Sequence, residues 1–269
     1  MDNSKIIDLL NKLDDYLVNL FEASLKGLVN ERDSFSDDEY LAVHALFVSC
    51  RETEKSVMML LRNRLVFDAD ALVRSVAEGS VRILYMLSGP REGVHEKIKE
   101  YVESLPLEVQ KNLKKRAVSV VDQKEGSTDE YREILSQFEG VETSGTPNEI
   151  GGRWSFSGLF KELKGELWGA VRLSRIQIAY ALQSDLLHKG YLTCQLRQEL
   201  GGDDVGVMTR IMFSLYDLAD MRCQVISGQS AASSLCEKHG AVVCGILAMN
   251  GSVESQEAGV GNEPVGTNS

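Results

Sequence analysis

The chain has 269 residues, 43% hydrophobic and 26% charged, with four prolines and a formal net charge of −11. That length can bury one large core or two small ones, and the composition is that of a soluble globular protein. The acidic balance argues against unspecific nucleic-acid binding, whose affinity comes from neutralised phosphates. Five cysteines without a CxxC pair argue against a disulfide framework or zinc knuckle and fit a reducing cytoplasm.

The opening stretch MDNSKIIDLLNKLDDYLVNLF has acids within its apolar pattern and lacks the continuous apolar run of a signal peptide. No run approaches the ~18 apolar residues of a membrane span, so none is expected. From Ser4 to Val29, Ile6, Leu9, Leu10, Leu13, Leu17, Leu20, Phe21 and Leu25 recur at helical steps. Ser36 is the expected N-cap of a second helix reaching about Arg64, with Asp37, Asp38 and Glu39 in its first turn. A third helix lies within Val66 to Leu87, starting at Asp68 or a near neighbour and stopping at Ser88-Gly89-Pro90. Two charged helices follow, Gly93–Ser104 and Leu107–Gln123, split at Pro106. They carry the basic run Lys111, Lys114, Lys115 and Arg116, read as a solvated face or as a phosphate-contacting patch. A short helix is expected over Asp129–Phe138, and Gly140 to Gly152 reads as a loop. Trp154 to Leu163 reopens the apolar pattern, and Glu166 to Leu187 is a further helix ending at His188-Lys189-Gly190. Asp203 to Ile226 carries a core stripe of Val207, Ile211, Met212, Leu215, Leu218 and Met221. Ala231 to Met249 is the expected last helix, and Asn250 to Ser269 has the composition of a disordered tail.

Two helices carry polar residues at a step of four, which stacks side chains on one face. In the third helix these are Asp70, Arg74, Glu78 and Arg82; in the later one, Tyr180, Ser184 and His188. The third helix is otherwise apolar on most sides, so its charges demand partners. If the two helices pack together, Arg74 and Glu78 can be satisfied by Tyr180, Ser184 and His188. One reading is a buried network that fixes helix register. The other is a site at the mouth of the bundle, with His188 as acid, base or phosphate ligand and Arg74 as anion stabiliser. His44 reads as a core or boundary residue.

Other chemistries find less support. Di-iron bundles need two Glu-x-x-His pairs; Glu92 and His95 form one, and no second exists. No metal ligand and no cofactor is therefore expected. Ser184 and His188 have the spacing of a dyad, but no GxSxG elbow accompanies them. Gly201-Gly202 lacks the GK[ST] ending of a phosphate loop.

The segments LVRSVAEGS and YALQSDLLH supply Arg74-x-x-x-Glu78 followed by Tyr180-x-x-x-Ser184-x-x-x-His188. With Asp68-Ala69, Trp154 and Trp168, this pattern resembles the bacterial family known as domain of unknown function 5677, over roughly Tyr40 to Ile226. The resemblance implies an all-helical bacterial protein without an assigned activity. That family is distantly similar to HEPN helical ribonucleases of toxin–antitoxin and antiphage systems. Their signature places four to six residues between an Arg and a His. Here Arg175 lies too far before His188, and Arg91 has only three residues between it and His95, so the signature is absent as written.

The expected fold is an all-α bundle of about seven to nine helices, forming a single domain over residues 1–249 with a disordered tail over 250–269. The first functional reading is a cytoplasmic effector acting on RNA or a nucleotide. Arg74 holds a phosphate, Glu78 orients it, His188 moves a proton, and Tyr180 and Ser184 position the substrate. The second is a non-enzymatic binding or scaffold module, with a protein partner or as a homodimer, in which the same residues are structural.

Overall fold

A computed structural model describes residues 3–122, 133, 135–141, 149–163, 176–178, 180–181, 204–227, 242 and 245. Among them there is no strand, and the fold is all-α. The long helices are α1 (Asn3–Asn30), α2 (Asp37–Arg62) and α3 (Val66–Leu87). They are followed by α4 (Arg91–Lys99), α5 (Leu105–Asp122), α6 (Glu149–Arg153), α7 (Phe156–Leu163) and α8 (Asp204–Ser227). No described helix is long and apolar enough to cross a membrane.

The chain groups into two compact units. The first comprises Met1–Arg32, Leu46–Ser80 and Leu167–Ser269. Its core is the packing of α1 on α8. Leu10, Leu13, Tyr16, Leu17 and Leu20 of α1 are buried, as are Met208, Ile211, Met212, Leu215 and Leu218 of α8. Tyr16 and Tyr216 stack with ring centroids 4.5 Å apart. At Gly27 the two helices touch backbone to backbone: a Cβ there would stand 2.9 Å from the Ser227 Cα. Any larger residue would push the helices apart.

The second unit comprises Asp33–Ala45 and Val81–Glu166. It begins with a capping box: the Ser36 N–H donates to Glu39 Oε2 at 2.8 Å, and the Glu39 N–H donates to Ser36 Oγ at 3.3 Å. Its aromatic centre is Trp154, buried and edge-on to Tyr85 at 5.1 Å. The indole N–H donates to Glu100 Oε1 at 2.8 Å, which satisfies the one polar atom of an otherwise apolar side chain.

Helix ends follow local chemistry. Helix α2 terminates in a Schellman motif: the Leu65 N–H donates to the Leu60 carbonyl and the Arg64 N–H to the Leu61 carbonyl. Arg64 takes the left-handed position, φ +61°, usually given to glycine. Gly89 (φ +85°), just past α3, precedes Pro90 at the start of α4.

Two expectations are corrected. The chain does not break at Pro106. Residues Glu100–Ser104 form a π-turn that runs directly into α5, with the Leu105 N–H bonded to the Glu100 carbonyl. Proline lacks an N–H and crowds the carbonyl four residues back; widening the preceding turn absorbs both effects. Gly151-Gly152 does not belong to a loop but to helix α6. Of the expected 129–138 helix, residues 133, 135 and 136 are helical, while 137 and 138 already form a turn. In the expected helices over 166–187 and 231–249, residues 176–178, 180–181, 242 and 245 are described, and all are helical. Residues 142–148 and the tail 250–269 lie outside the described residues.

Candidate functional site

Helix α3 presents Arg74 and Glu78 one turn apart, and the helical segment at Tyr180 brings the phenol to both. Arg74 Nε donates to Glu78 Oε1 at 3.3 Å and Nη2 donates to the Tyr180 hydroxyl at 2.9 Å. The hydroxyl in turn donates to Glu78 Oε1 at 2.7 Å. The guanidinium carbon sits 4.7 Å from the Tyr180 ring centroid, within cation–π range. The result is a closed triangle of charge-assisted bonds.

The triangle stands at the edge of the core. The Arg74 and Glu78 side chains are 25% and 32% exposed, so the network that one reading expected to be buried is half-buried here. Burial raises the Tyr180 pKa, and the Glu78 carboxylate adds to this, so the phenol stays a proton donor. Burial opposes the Arg74 charge, but the bonds to Tyr180 and Glu78 outweigh it and hold its pKa above the ordinary value. Among the described residues, Arg74 Nη1 makes no hydrogen bond.

The rest of the α3 stripe goes elsewhere. Asp70 is buried and accepts from Arg210 Nη2 of α8 at 2.7 Å. Among the described residues, the Arg82 Nε has no hydrogen-bond partner. Ser184, His188, Arg172, Arg175 and Trp168 lie outside the described residues. His44 is a boundary residue stacked on Tyr40, and His95 Nδ1 lies 3.0 Å from Glu39 Oε1. Lys111 pairs with Glu108 and Lys114 donates to the Val141 carbonyl, so two members of the basic run are engaged within the fold. No described group of three or more His, Cys, Asp and Glu residues is placed to hold a metal ion.

A second polar cluster has no counterpart in the sequence reading. Arg222 of α8, 3% exposed, donates through Nη2 to Glu54 of α2 and through Nη1 to Ser80 of α3. Glu54 is itself 1% exposed. Arg51 Nη1 lies 3.6 Å from the other Glu54 oxygen, and Arg51 Nη2 donates to Asp14 of α1 at 3.3 Å. Burial opposes the charge on Arg222, yet the Glu54 carboxylate overrides it and raises its pKa. The signal was present in α8, where Arg222 interrupts the apolar run LADMRCQVI; Arg51 and Glu54, within RETEK, carry no comparable mark.

Fold and site together define an all-helical protein with a half-buried Arg–Glu–Tyr triangle on its third helix. The family model described as "Family of unknown function (DUF5677)" matches residues 40–201, and the chain belongs to that family. The matched stretch holds Arg74, Glu78 and Tyr180 together with Ser184 and His188. No curated protein matches the chain, and no solved structure matches it.

Proposed function

We propose that the chain is a bacterial, cytoplasmic, HEPN-like effector of a defence or toxin system that acts on RNA or a nucleotide. Arg74, Glu78, Tyr180, Ser184 and His188 form its site. The observation that carries this reading is the state of Arg74. Its Nε–Nη2 edge is fixed by a carboxylate and a phenol, its side chain is a quarter exposed, and Nη1 is unengaged among the described residues. A guanidinium oriented by its neighbours with one amino group to spare suits a phosphate oxygen. Glu78 orients Arg74, and Tyr180, bonded along the same Nε–Nη2 edge, helps to position the substrate. In the sequence Ser184 and His188 follow Tyr180 at the four-residue step of one helix face; in this reading Ser184 positions the substrate and His188 moves a proton.

The test is incubation of purified protein with total RNA and a nucleotide panel, with and without divalent metal, beside His188→Ala. Product from the parent alone, with the melting temperature of the variant unchanged, supports the reading. Loss of the fold in His188→Ala, or equal turnover by both proteins, overturns it.

The closure of the triangle favours a second reading, a non-enzymatic module that binds a protein partner or a second copy, with the same residues in a structural role. It expects no turnover. Arg74→Ala and Glu78→Ala would each destabilise by about 1 kcal/mol, because partial exposure screens the stranded charge. Replacing both with apolar residues would restore part of the loss.

A further inference from the structure

Helices α1 and α2 enclose a surface basin of about 410 Å³ within the first unit. Helix α1 contributes Asp14 and Val18, one turn apart, and α2 contributes Arg51, Lys55 and Met59 in a row of four-residue steps, with Arg62 beside them. None of these residues belongs to the Arg74 triangle. The geometry points to this basin as a binding site for a small organic phosphate monoester, with the phosphate on Arg51, Lys55 and Arg62 and the organic body against Val18 and Met59.

Three observations converge. The first is a carboxylate already clamped between two guanidiniums: Asp14 Oδ1 accepts from Arg51 at 3.3 Å and Oδ2 from Arg62 at 2.8 Å. Burial raises the Asp14 pKa, but its bonds to Arg62 and Arg51 outweigh that and leave it lowered, so the two guanidiniums already hold one carboxylate in its charged form. The second is charge. Three cations face one lining carboxylate, which leaves two positive charges in a chain whose net charge is −11. Other acids touch the cluster without cancelling this. Glu54 lies against Arg51 but is matched by Arg222, and Glu52 meets Lys55 in a solvent-exposed pair, 62% and 54% exposed, which water screens. A phosphate monoester brings about −1.5 to −2 charges at neutral pH, which balances the two that remain.

The third is shape. The concavity is of small-ligand size, and roomier than inorganic phosphate requires. Its apolar wall includes Met59, 62% exposed, and Val18, 38% exposed. Exposed apolar side chains beside a cationic floor suit a ligand with an apolar or planar body. Arg51, 5% exposed, forms the buried floor, and the more exposed Lys55 and Arg62 flank it.

The experiment is calorimetric titration of the full chain with adenosine 5′-monophosphate, ribose 5-phosphate, inorganic phosphate and adenosine. The expected order has adenosine 5′-monophosphate above ribose 5-phosphate and inorganic phosphate, and no binding of adenosine. Lys55→Ala and Arg62→Ala, both at exposed positions, each weaken the monoesters about tenfold, the loss of one charge-assisted contact. His188→Ala leaves the part of that binding that depends on Lys55 and Arg62 intact, which separates the basin from the proposed Arg74–His188 site. Adenosine binding as well as its monophosphate, no binding by any phosphate, or binding lost in His188→Ala yet kept in Arg62→Ala, would each overturn the assignment.

Discussion

Replacing Glu54 by Gln removes one charge from the most buried ion pair among the described residues and changes almost no volume. The side chains of Glu54 and Arg222 are 1% and 4% exposed. Glu54 is the carboxylate facing Arg222, and its second oxygen lies 3.6 Å from Arg51. Without it, two arginines share the core, one keeping Asp14 and the other keeping only the Ser80 hydroxyl. Stranding a buried charge in this way costs about 3–5 kcal/mol. For a chain of this size each kcal/mol lowers the melting temperature by roughly 2–4 °C, so a fall on the order of 6–20 °C is expected. Urea denaturation followed by circular dichroism gives the free energy directly. The control is Lys55→Gln, which breaks the exposed 2.7 Å pair with Glu52 and should shift stability by less than about 0.5 kcal/mol. The double variant Glu54→Leu with Arg222→Met should recover much of the single-variant loss, because an apolar pair of similar volume carries no desolvation penalty. A Glu54→Gln protein within about 1 kcal/mol of the parent would refute the reasoning, since water would then be reaching the pair.

Gly79→Ala should destabilise by about 1–3 kcal/mol, because the new methyl would lie 2.5 Å from the Cys50 Sγ. Adding Cys50→Ala should return most of it in a thermal melt, and failure to do so would place the cost elsewhere. Arg64→Gly should stabilise by about 1 kcal/mol, since glycine relieves the left-handed conformation that closes α2; chemical denaturation showing no gain would mean the Arg64 side chain offsets the strain. Glu39 is held below its ordinary pKa: burial works against this, but the Ser36 N–H, His95 and the Ser36 hydroxyl outweigh it. A depressed carboxyl contributes stability above its unfolded pKa and loses it as pH falls through the lower folded value. Glu39→Gln should thus be less stable than the parent at neutral pH and equal to it in acid; a gap that persists in acid would count against the cap and the His95 contact as its source.

The sequence carried the helices further than it carried their contacts. The apolar period over residues 4–29 marks α1 to within a residue at each end, and the stripe from Val207 to Met221 is buried as expected. Ser36 is the cap because its side chain has a free N–H to accept from three residues on, a strictly local fact. Pro106 and Gly151-Gly152 misled for a related reason. Both are local breakers, and a π-turn before the proline or a five-residue helix at the glycines absorbs the local cost. The pairing of Arg74 and Glu78 with Tyr180 was legible because regular spacing on two helices restricted which faces could meet. The Glu54–Arg222 pair was not, because RETEK reads the same whether its charges face water or the core.

The two polar clusters differ in what solvent reaches, and this difference argues for different roles. Arg222 and Glu54 spend their charges on each other and keep almost no surface, so this pair can fix the register of α2, α3 and α8 but cannot itself meet a ligand. The Arg74 triangle uses comparable bonds, yet a quarter to a third of Arg74 and Glu78 remains open. Rigidity in the first cluster supports orientation in the second, because Ser80 and Glu78 stand two residues apart on the same helix. A shift of α3 that broke the Arg222–Ser80 contact would also carry Arg74 and Glu78 away from Tyr180. The buried pair therefore acts on the half-exposed triangle through the backbone of one helix. Loss of Glu54 should loosen the triangle before the chain unfolds, seen as a change in the Tyr180 ring resonances at temperatures below the melt.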